Sequence, residues 1–317
     1  MTNPDRLSAP PGTWRIGRLA GIDLLIRPSL LLMAVVLVSL FASRFDDGTG
    51  SNAYGLSALF VLALYISVLV HELAHVAVAR HYKMPVASIT LHLLGGETAI
   101  EGESRTPGQE FWTSVIGPLT SLAIGGIAGL IARGLDGNAH SIVSSIAIVN
   151  VLVAAFNMVP GLPLDGGRVF RSIIWAVTRR ESTGTKVAAW IGRAAAVVAL
   201  VVPILWLIRD KDSASVADAI VGVLVAWFLW TGASHALRTA DRNARLNTLY
   251  ARAIGEAGVE PPDDAPVIAA DLSGIPLLRA MAATPSDVYR LIEDDGTTYG
   301  RLVADAVDAA YRQGSTN

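Results

Sequence analysis

The sequence predicts an α-helical polytopic membrane protein: six transmembrane helices, a small β-hairpin at the membrane surface and a small α/β domain at the C-terminus. Three observations carry this. Only 16% of the 317 residues are charged and 52% are apolar, whereas soluble domains are about 25% charged. Mean hydropathy is +0.48. Apolar runs long enough to cross a bilayer recur along the chain, separated by polar loops bearing Gly and Pro.

Composition also excludes classes. A net charge of −2 provides no electrostatic footprint for nucleic acid. With no cysteine, disulfides, thiolate metal sites and a cysteine nucleophile are ruled out. The first 14 residues are polar and proline-bearing, without an apolar core ahead of a small-residue cleavage site, so no cleavable signal peptide is expected.

In chain order, residues 1–13 read as a disordered tail. Residues 14–26 alternate loosely around Gly17 and Gly21, as short strands or an interfacial segment. Pro28 opens the first span, 28–43, where its missing N–H costs nothing. A polar loop, 44–52, leads to the second span, 54–81. Residues 84–103 are β-branched, polar-interrupted and interrupted by Gly95-Gly96, which predicts a surface hairpin or two extended segments. Spans three to six are expected at 109–133, 141–158, 187–208 and 216–237. Between the fourth and fifth, the run Asn157-Met158-Val159-Pro160-Gly161-Leu162-Pro163-Leu164-Asp165-Gly166-Gly167 forbids a continuous helix.

Six spans place both termini on one side. The loops of that side carry most of the Lys and Arg, whereas the opposite loops hold Arg44, Arg133, Arg209 and Lys211. The positive-inside rule then makes both termini cytoplasmic, in a multi-pass protein of the cell membrane. From about residue 243 the chain turns polar. Residues 287–293 and 297–303 alternate as strands around an Asp294-Asp295-Gly296 turn, and 305–312 read as a helix. Two domains are expected: a membrane domain over 14–242 and a cytoplasmic one over 243–317.

The chemistry centres on His71-Glu72-Leu73-Ala74-His75, near the end of the second span. Residues four apart share a helix face, so His71 and His75 can offer two imidazoles to one zinc ion. Glu72 then stands beside the first ligand, placed as a general base toward water. Chance yields this pattern about three times in a thousand chains of this composition. Each ionisable group deep in an apolar helix costs about 2.5–3.5 kcal/mol by insertion scales, so three in five residues need a reason.

A catalytic zinc takes three protein ligands. His81 has metzincin-like spacing, but Val78 stands where that motif has a turning glycine. On a continuing helix His81 lies about 15 Å along the axis from His71 and about 80° around it, out of reach. Asp165 is the better third ligand. It sits in a broken, glycine-flanked loop, and the derived topology puts it on the same side of the bilayer as His71 and His75. His92, in the hairpin, is placed where it could touch substrate, but it reads, with His140 and His235, as an ordinary polar position, and Arg193 as a snorkelling side chain.

HELAH in span two, Gly95-Gly96 in the hairpin, Gly117-Pro118 in span three and NMVPGLPLDGGR at 157–168 together resemble the site-2 proteases, zinc metalloproteases that cleave within or beside transmembrane segments. The resemblance covers about residues 12–240. It implies one Zn2+ per chain on His71, His75 and Asp165, and Glu72 as catalytic acid/base. It also implies Asn157 at the scissile carbonyl or its oxyanion, and Gly95 and Gly96 in the strand that receives an unwound substrate. The implied partner, besides the bilayer, is a single-span membrane protein, such as an anti-sigma factor or a signal-peptide remnant. The C-terminal pattern resembles half of a cystathionine-β-synthase (CBS) type module. One repeat does not make a nucleotide site, so a docking or homodimerising domain is expected. The competing functions are a catalytically inactive relative that binds membrane proteins and an ion-coupled transporter. No internal inverted repeat favours the transporter.

Overall fold

The structure, a computed structural model, describes residues 12–19, 21–45, 52–92, 95–100, 104–209 and 216–313. Most of the expected N-terminal tail and of the 44–52 loop lies outside these residues. The chain divides into two compact units, 1–233 and 234–317.

The first unit opens with β1 (Trp14–Leu19) and β2 (Ile22–Ile26), followed by α1 (Pro28–Ala42) and α2 (Ala53–His81). Strands β3 (Val86–His92) and β4 (Gly95–Ile100) come next, then helices α3 (Pro107–Ala132), α4 (Gly137–Asn157), α5 (Asp165–Thr178) and α6 (Glu181–Arg209). Helix α7 (Val216–Leu246) continues from this unit into the second.

Among the described residues, five helices are long and apolar enough to cross a membrane: α2, α3, α4, α6 and the Ala219–Leu246 part of α7. The first expected span is a helix where expected, but α1 has only 15 residues, about 22 Å against a hydrocarbon core of about 30 Å. Exposed apolar side chains such as Leu62, Ile66, Val198 and Trp206 cover the long helices, which is the surface that lipid solvates. Polar contacts join the helices inside. The amide of Asn150, 2% exposed, donates from α4 to Ser67 Oγ on α2 at 3.3 Å, one of the few strong contacts available between helices once apolar surface has nowhere drier to go.

The hairpin expected at 84–103 is β3 and β4, and it belongs to a larger sheet. Its order is β1-β2-β3-β4, with β2 and β3 parallel and the outer pairs antiparallel. The loosely alternating stretch at 14–26 thus resolves as strands. Ile22, Ile89 and Leu91 of this sheet pack on Leu30 of α1 and Val76 of α2. Helix α3 starts cleanly because Thr106 caps it, accepting from the Gln109 N–H at 3.2 Å, with Pro107 in the first turn. Helix α5, a second element inside the expected fourth-to-fifth loop, follows the proline-broken stretch. Its Gly166, Gly167, Val169 and Ser172 are buried, while Ile173 and Val177 are exposed.

The second unit holds α8 (Ala251–Ile254), β5 (Glu256–Ala257), β6 (Val267–Ala269), α9 (Gly274–Ala283), β7 (Val288–Ile292), β8 (Thr298–Val303) and α10 (Ala304–Gln313). The sheet order is β5-β8-β7-β6, with Ile268, Leu277, Leu291, Leu302 and Val307 in its core. The two strands and helix expected from 287 onward are β7, β8 and α10. Gly296 takes φ 82° in their turn, and Asp295 accepts from the Thr297 N–H at 2.9 Å.

Candidate metal centre

Helix α2 carries His71, Glu72 and His75, all under 7% exposed. The first residue of α5 is Asp165, and its carboxylate reaches the same point from another element. The two imidazole Nε2 atoms are 3.1 Å apart, and they lie 3.1 and 3.2 Å from Asp165 Oδ2. These are the three groups among the described residues that converge as a metal-ligand set.

The far side of each ring is held by α3. His75 Nδ1 lies 2.6 Å from the Thr113 carbonyl oxygen. A carbonyl only accepts, so Nδ1 carries the proton, and in the neutral ring Nε2 is left with a lone pair. His71 Nδ1 lies 2.9 Å from Ser121 Oγ. Two ring nitrogens and a carboxylate oxygen therefore crowd one point among largely buried side chains, and a cation between them resolves the repulsion. Tetrahedral zinc with arms of about 2.0–2.1 Å sets its ligand atoms about 3.3 Å apart, close to the spacing seen. The outward hydrogen bond from each ring is the usual support for a ligating histidine.

Gly117 makes room for the rings. A Cβ there would sit 2.6 Å from His71 Nε2 and also overlap His75. At the first turn of α5, a Cβ on Gly167 would strike the backbone of Gly161 and Leu162. The closely packed, proline-broken loop is what lets α5 begin with Asp165 aimed at α2.

A cavity of about 520 Å³ opens over these groups. It is lined by every candidate from the sequence: His71, Glu72, His75, Gly95, Gly96, Asn157 and Asp165. Asn157 is the last residue of α4. On the hairpin side, β4 lies against Glu72. A Cβ at Gly96 would come 2.5 Å from Glu72 Cγ, and Thr98 Oγ1 donates to Glu72 Oε2 at 2.7 Å. His81 is exposed at the end of α2, ring-to-edge against Tyr82, and takes no part.

Sequence reasoning missed Thr113, Ser121 and Thr98, whose contacts depend on how helices and sheet pack. It also read His92 as an ordinary polar position. In the structure His92 lines the cavity, and burial pushes its imidazole below the usual range. Gly117 left a faint trace, a Gly-Pro pair inside an apolar run.

A model of peptidase family M50 matches residues 59–137 and 133–202. The chain is 32% identical over 266 residues to sll0528 of Synechocystis sp., which is named as a zinc metalloprotease. That match covers 82% of this chain and 67% of the relative. The chain belongs to peptidase family M50, a family of zinc metalloproteases. A second M50 relative, Rip3 of Mycobacterium tuberculosis, also named as a zinc metalloprotease, is 34% identical over 265 residues, covering 79% of this chain and 64% of its own. The chain thus spans about two thirds of the length of these curated relatives. The solved site-2 protease of Methanocaldococcus jannaschii superposes with a TM-score of 0.54 at 26% identity, covering 71% of this chain and 95% of that one. As an M50 peptidase the chain takes Zn2+ as its metal, and the donor set of His71, His75 and Asp165 fits that ion.

Proposed function

We propose that this chain is an intramembrane endopeptidase that hydrolyses peptide bonds within or beside the transmembrane segment of single-span membrane proteins, as in regulated intramembrane proteolysis. One observation carries the reading. The metal donors, Glu72 and the outer strand of a sheet face one cavity in a unit built mainly of apolar helices.

A helical substrate hides its peptide bonds, so it must become extended before attack. Strand β4 pairs with β3 on one side and ends the sheet on the other. An unwound substrate segment adds to that free edge, which satisfies its backbone N–H and C=O groups away from water. Gly96 keeps the strand close to Glu72, and Gly95 opens it.

His71, His75 and Asp165 hold the zinc ion. When bound, zinc supplies Lewis acidity toward water and the scissile carbonyl. Glu72 takes the proton from the attacking water and returns it to the leaving amine. Its carboxylate is held for this by the Thr98 hydroxyl. Asn157, on the cavity wall, donates from its amide to the developing oxyanion.

The proposed topology places both termini in the cytoplasm of a multi-pass cell-membrane protein, with α1 as the sixth crossing. Its short length implies local thinning of the bilayer. The substrate class includes anti-sigma factors and signal-peptide remnants already trimmed by another protease. The C-terminal unit, read as half of a CBS-type module, serves docking or homodimerisation.

The test is cleavage in proteoliposomes of single-span proteins trimmed of their outer domains, with the cut mapped by mass spectrometry. Cuts within or next to the span, lost in Glu72→Gln while zinc is retained, support the reading. Products that persist in Glu72→Gln, or no cleavage by the zinc-loaded protein of any trimmed span, would overturn it.

A further inference from the structure

The mechanism leaves unused one charged cluster, built of partly exposed side chains around a fully buried carboxylate. Glu110, in the first turn of α3, has no exposed surface. Its Oε1 accepts from Arg171 Nε at 2.6 Å and from Nη2 of the same guanidinium. Arg168 Nε approaches Oε1 to 3.8 Å, and Arg171 Nη1 is 3.7 Å from Glu181 on α6. Glu110 Oε2 is buried without a hydrogen-bond partner among the described residues. Removing a carboxylate and a guanidinium from water carries a penalty that their attraction often fails to recover, and an apolar pair of similar volume would serve packing as well or better. Stability alone is a poor reason for the pair to be there.

Its position gives a better one. Glu110, Thr113, Gly117 and Ser121 are spaced three, four and four residues apart, so they form one stripe on α3. Three of them serve the zinc site: the Thr113 carbonyl holds His75, Ser121 holds His71, and Gly117 clears space for both rings. On α5, Asp165, Arg168 and Arg171 are spaced by three, a row that winds about 120° around the helix from end to end. From Arg171 to Asp165 is about 9 Å along α5, and from Glu110 to Gly117 about 10 Å along α3. The two helices thus meet at two points of matched separation. At one, Glu110 grips Arg171. At the other, Asp165 meets the imidazoles that α3 orients.

We propose that Glu110 and Arg171 are a positioning pair for the zinc site, fixing the register of α5 on α3 so that the Asp165 carboxylate arrives at the point where His71 and His75 converge. The forked guanidinium specifies direction as well as attraction. An apolar contact would let α5 slide or rotate slightly, and a small displacement of the carboxylate separates a ligand from a bystander. Groups hydrogen-bonded directly to a metal ligand typically contribute 10–100-fold to metal affinity, and this pair, which acts one step further out, is set at the low end of that range.

The inference rests on the zinc assignment above, and the experiment separates the two. The full chain in detergent is assayed for zinc affinity by competition with a chromophoric chelator, for the visible spectrum of its Co2+ form, and for thermal stability of the metal-free protein. Glu110→Gln is expected to weaken zinc binding about tenfold or more and to alter the cobalt bands. The pair Glu110→Met/Arg171→Met should recover thermal stability yet leave zinc affinity low, which a purely structural role would not do. Where these variants fail to fold, Arg171→Lys keeps the charge but loses the fork, and it too should weaken zinc. Wild-type affinity and spectrum in Glu110→Gln or Arg171→Lys, or recovery of both stability and affinity in the Met pair, would overturn the proposal. Asp165→Asn supplies the other arm. If it binds zinc as tightly as wild type, the ligand assignment itself fails; if it loses zinc while the Glu110 and Arg171 variants keep it, only the positioning pair fails.

Discussion

The hydroxyl of Thr98 donates to the carboxylate of Glu72 across 2.7 Å, from the outer strand β4 to the zinc-motif helix α2. The strand proposed to receive substrate is thereby tied to the proposed proton carrier. A hydrogen bond to a charged group contributes about 1.5–3 kcal/mol, and every 1.36 kcal/mol is tenfold in rate. Thr98→Val should therefore lower kcat roughly tenfold to a hundredfold with zinc content unchanged, and Thr98→Ser should restore most of it. Single-turnover cleavage beside elemental analysis measures both. Equal rates in Thr98→Val and wild type would show that the contact does not serve proton transfer.

Zinc stoichiometry should track the converging groups and ignore the decoy. One zinc per chain is expected in wild type and in His81→Ala, and clearly less in His71→Ala, His75→Ala and Asp165→Ala. His81 is exposed at the end of α2, remote from the cavity lining. Elemental analysis of the detergent-purified proteins settles it, and zinc loss in His81→Ala would refute the ligand set.

Gly117→Ala is expected to remove zinc binding while leaving the helical circular-dichroism spectrum intact. Alanine favours a helix interior over glycine by about 1 kcal/mol, so on propensity alone the variant should be more stable. Its Cβ would instead sit 2.6 Å from His71 Nε2. Wild-type zinc affinity in this variant would mean the rings can shift aside without losing the ion.

The proposed orientation can be read with single cysteines, since the chain contains none. Asn138→Cys, at the exposed start of α4, should react with an impermeant maleimide in intact cells. Asp263→Cys, exposed in the C-terminal unit, should react only after permeabilisation. Labelling of both from outside would mean an even number of crossings between the two positions and overturn the proposed topology, in which α4, α6 and α7 all cross.

The parts of the fold and site that were legible in the sequence are those where chemistry conflicts with its surroundings. His71, Glu72 and His75 stand out because ionisable groups are rare in an apolar helix, and Asp165 because prolines and glycines break the helix just before it. The two strands and helix after residue 287 follow from alternation and an Asp-Gly turn. What stayed hidden was pairing at a distance. Nothing local tells Trp14–Leu19 and Ile22–Ile26 to join a sheet with β3, because β2 and β3 are parallel strands separated by two helices. Thr98, Thr113 and Ser121 are ordinary residues by type. Their roles arise from which residue each one meets, and for Thr113 the contact is made by a backbone carbonyl that every residue owns. Helix α5 was missed because two glycines at its start are a poor helix signal, although here they are what allows the helix to approach the loop before it.

The proposed zinc ligands His71 and Asp165 are 94 residues apart. During synthesis, α2 must enter the bilayer with two bare imidazoles long before the ribosome has made the carboxylate that completes the set. Until α5 is in place, a nascent chain has two of the three proposed donors and no complete centre. Biogenesis itself thus acts as a safety catch, released only when the last ligand has been delivered.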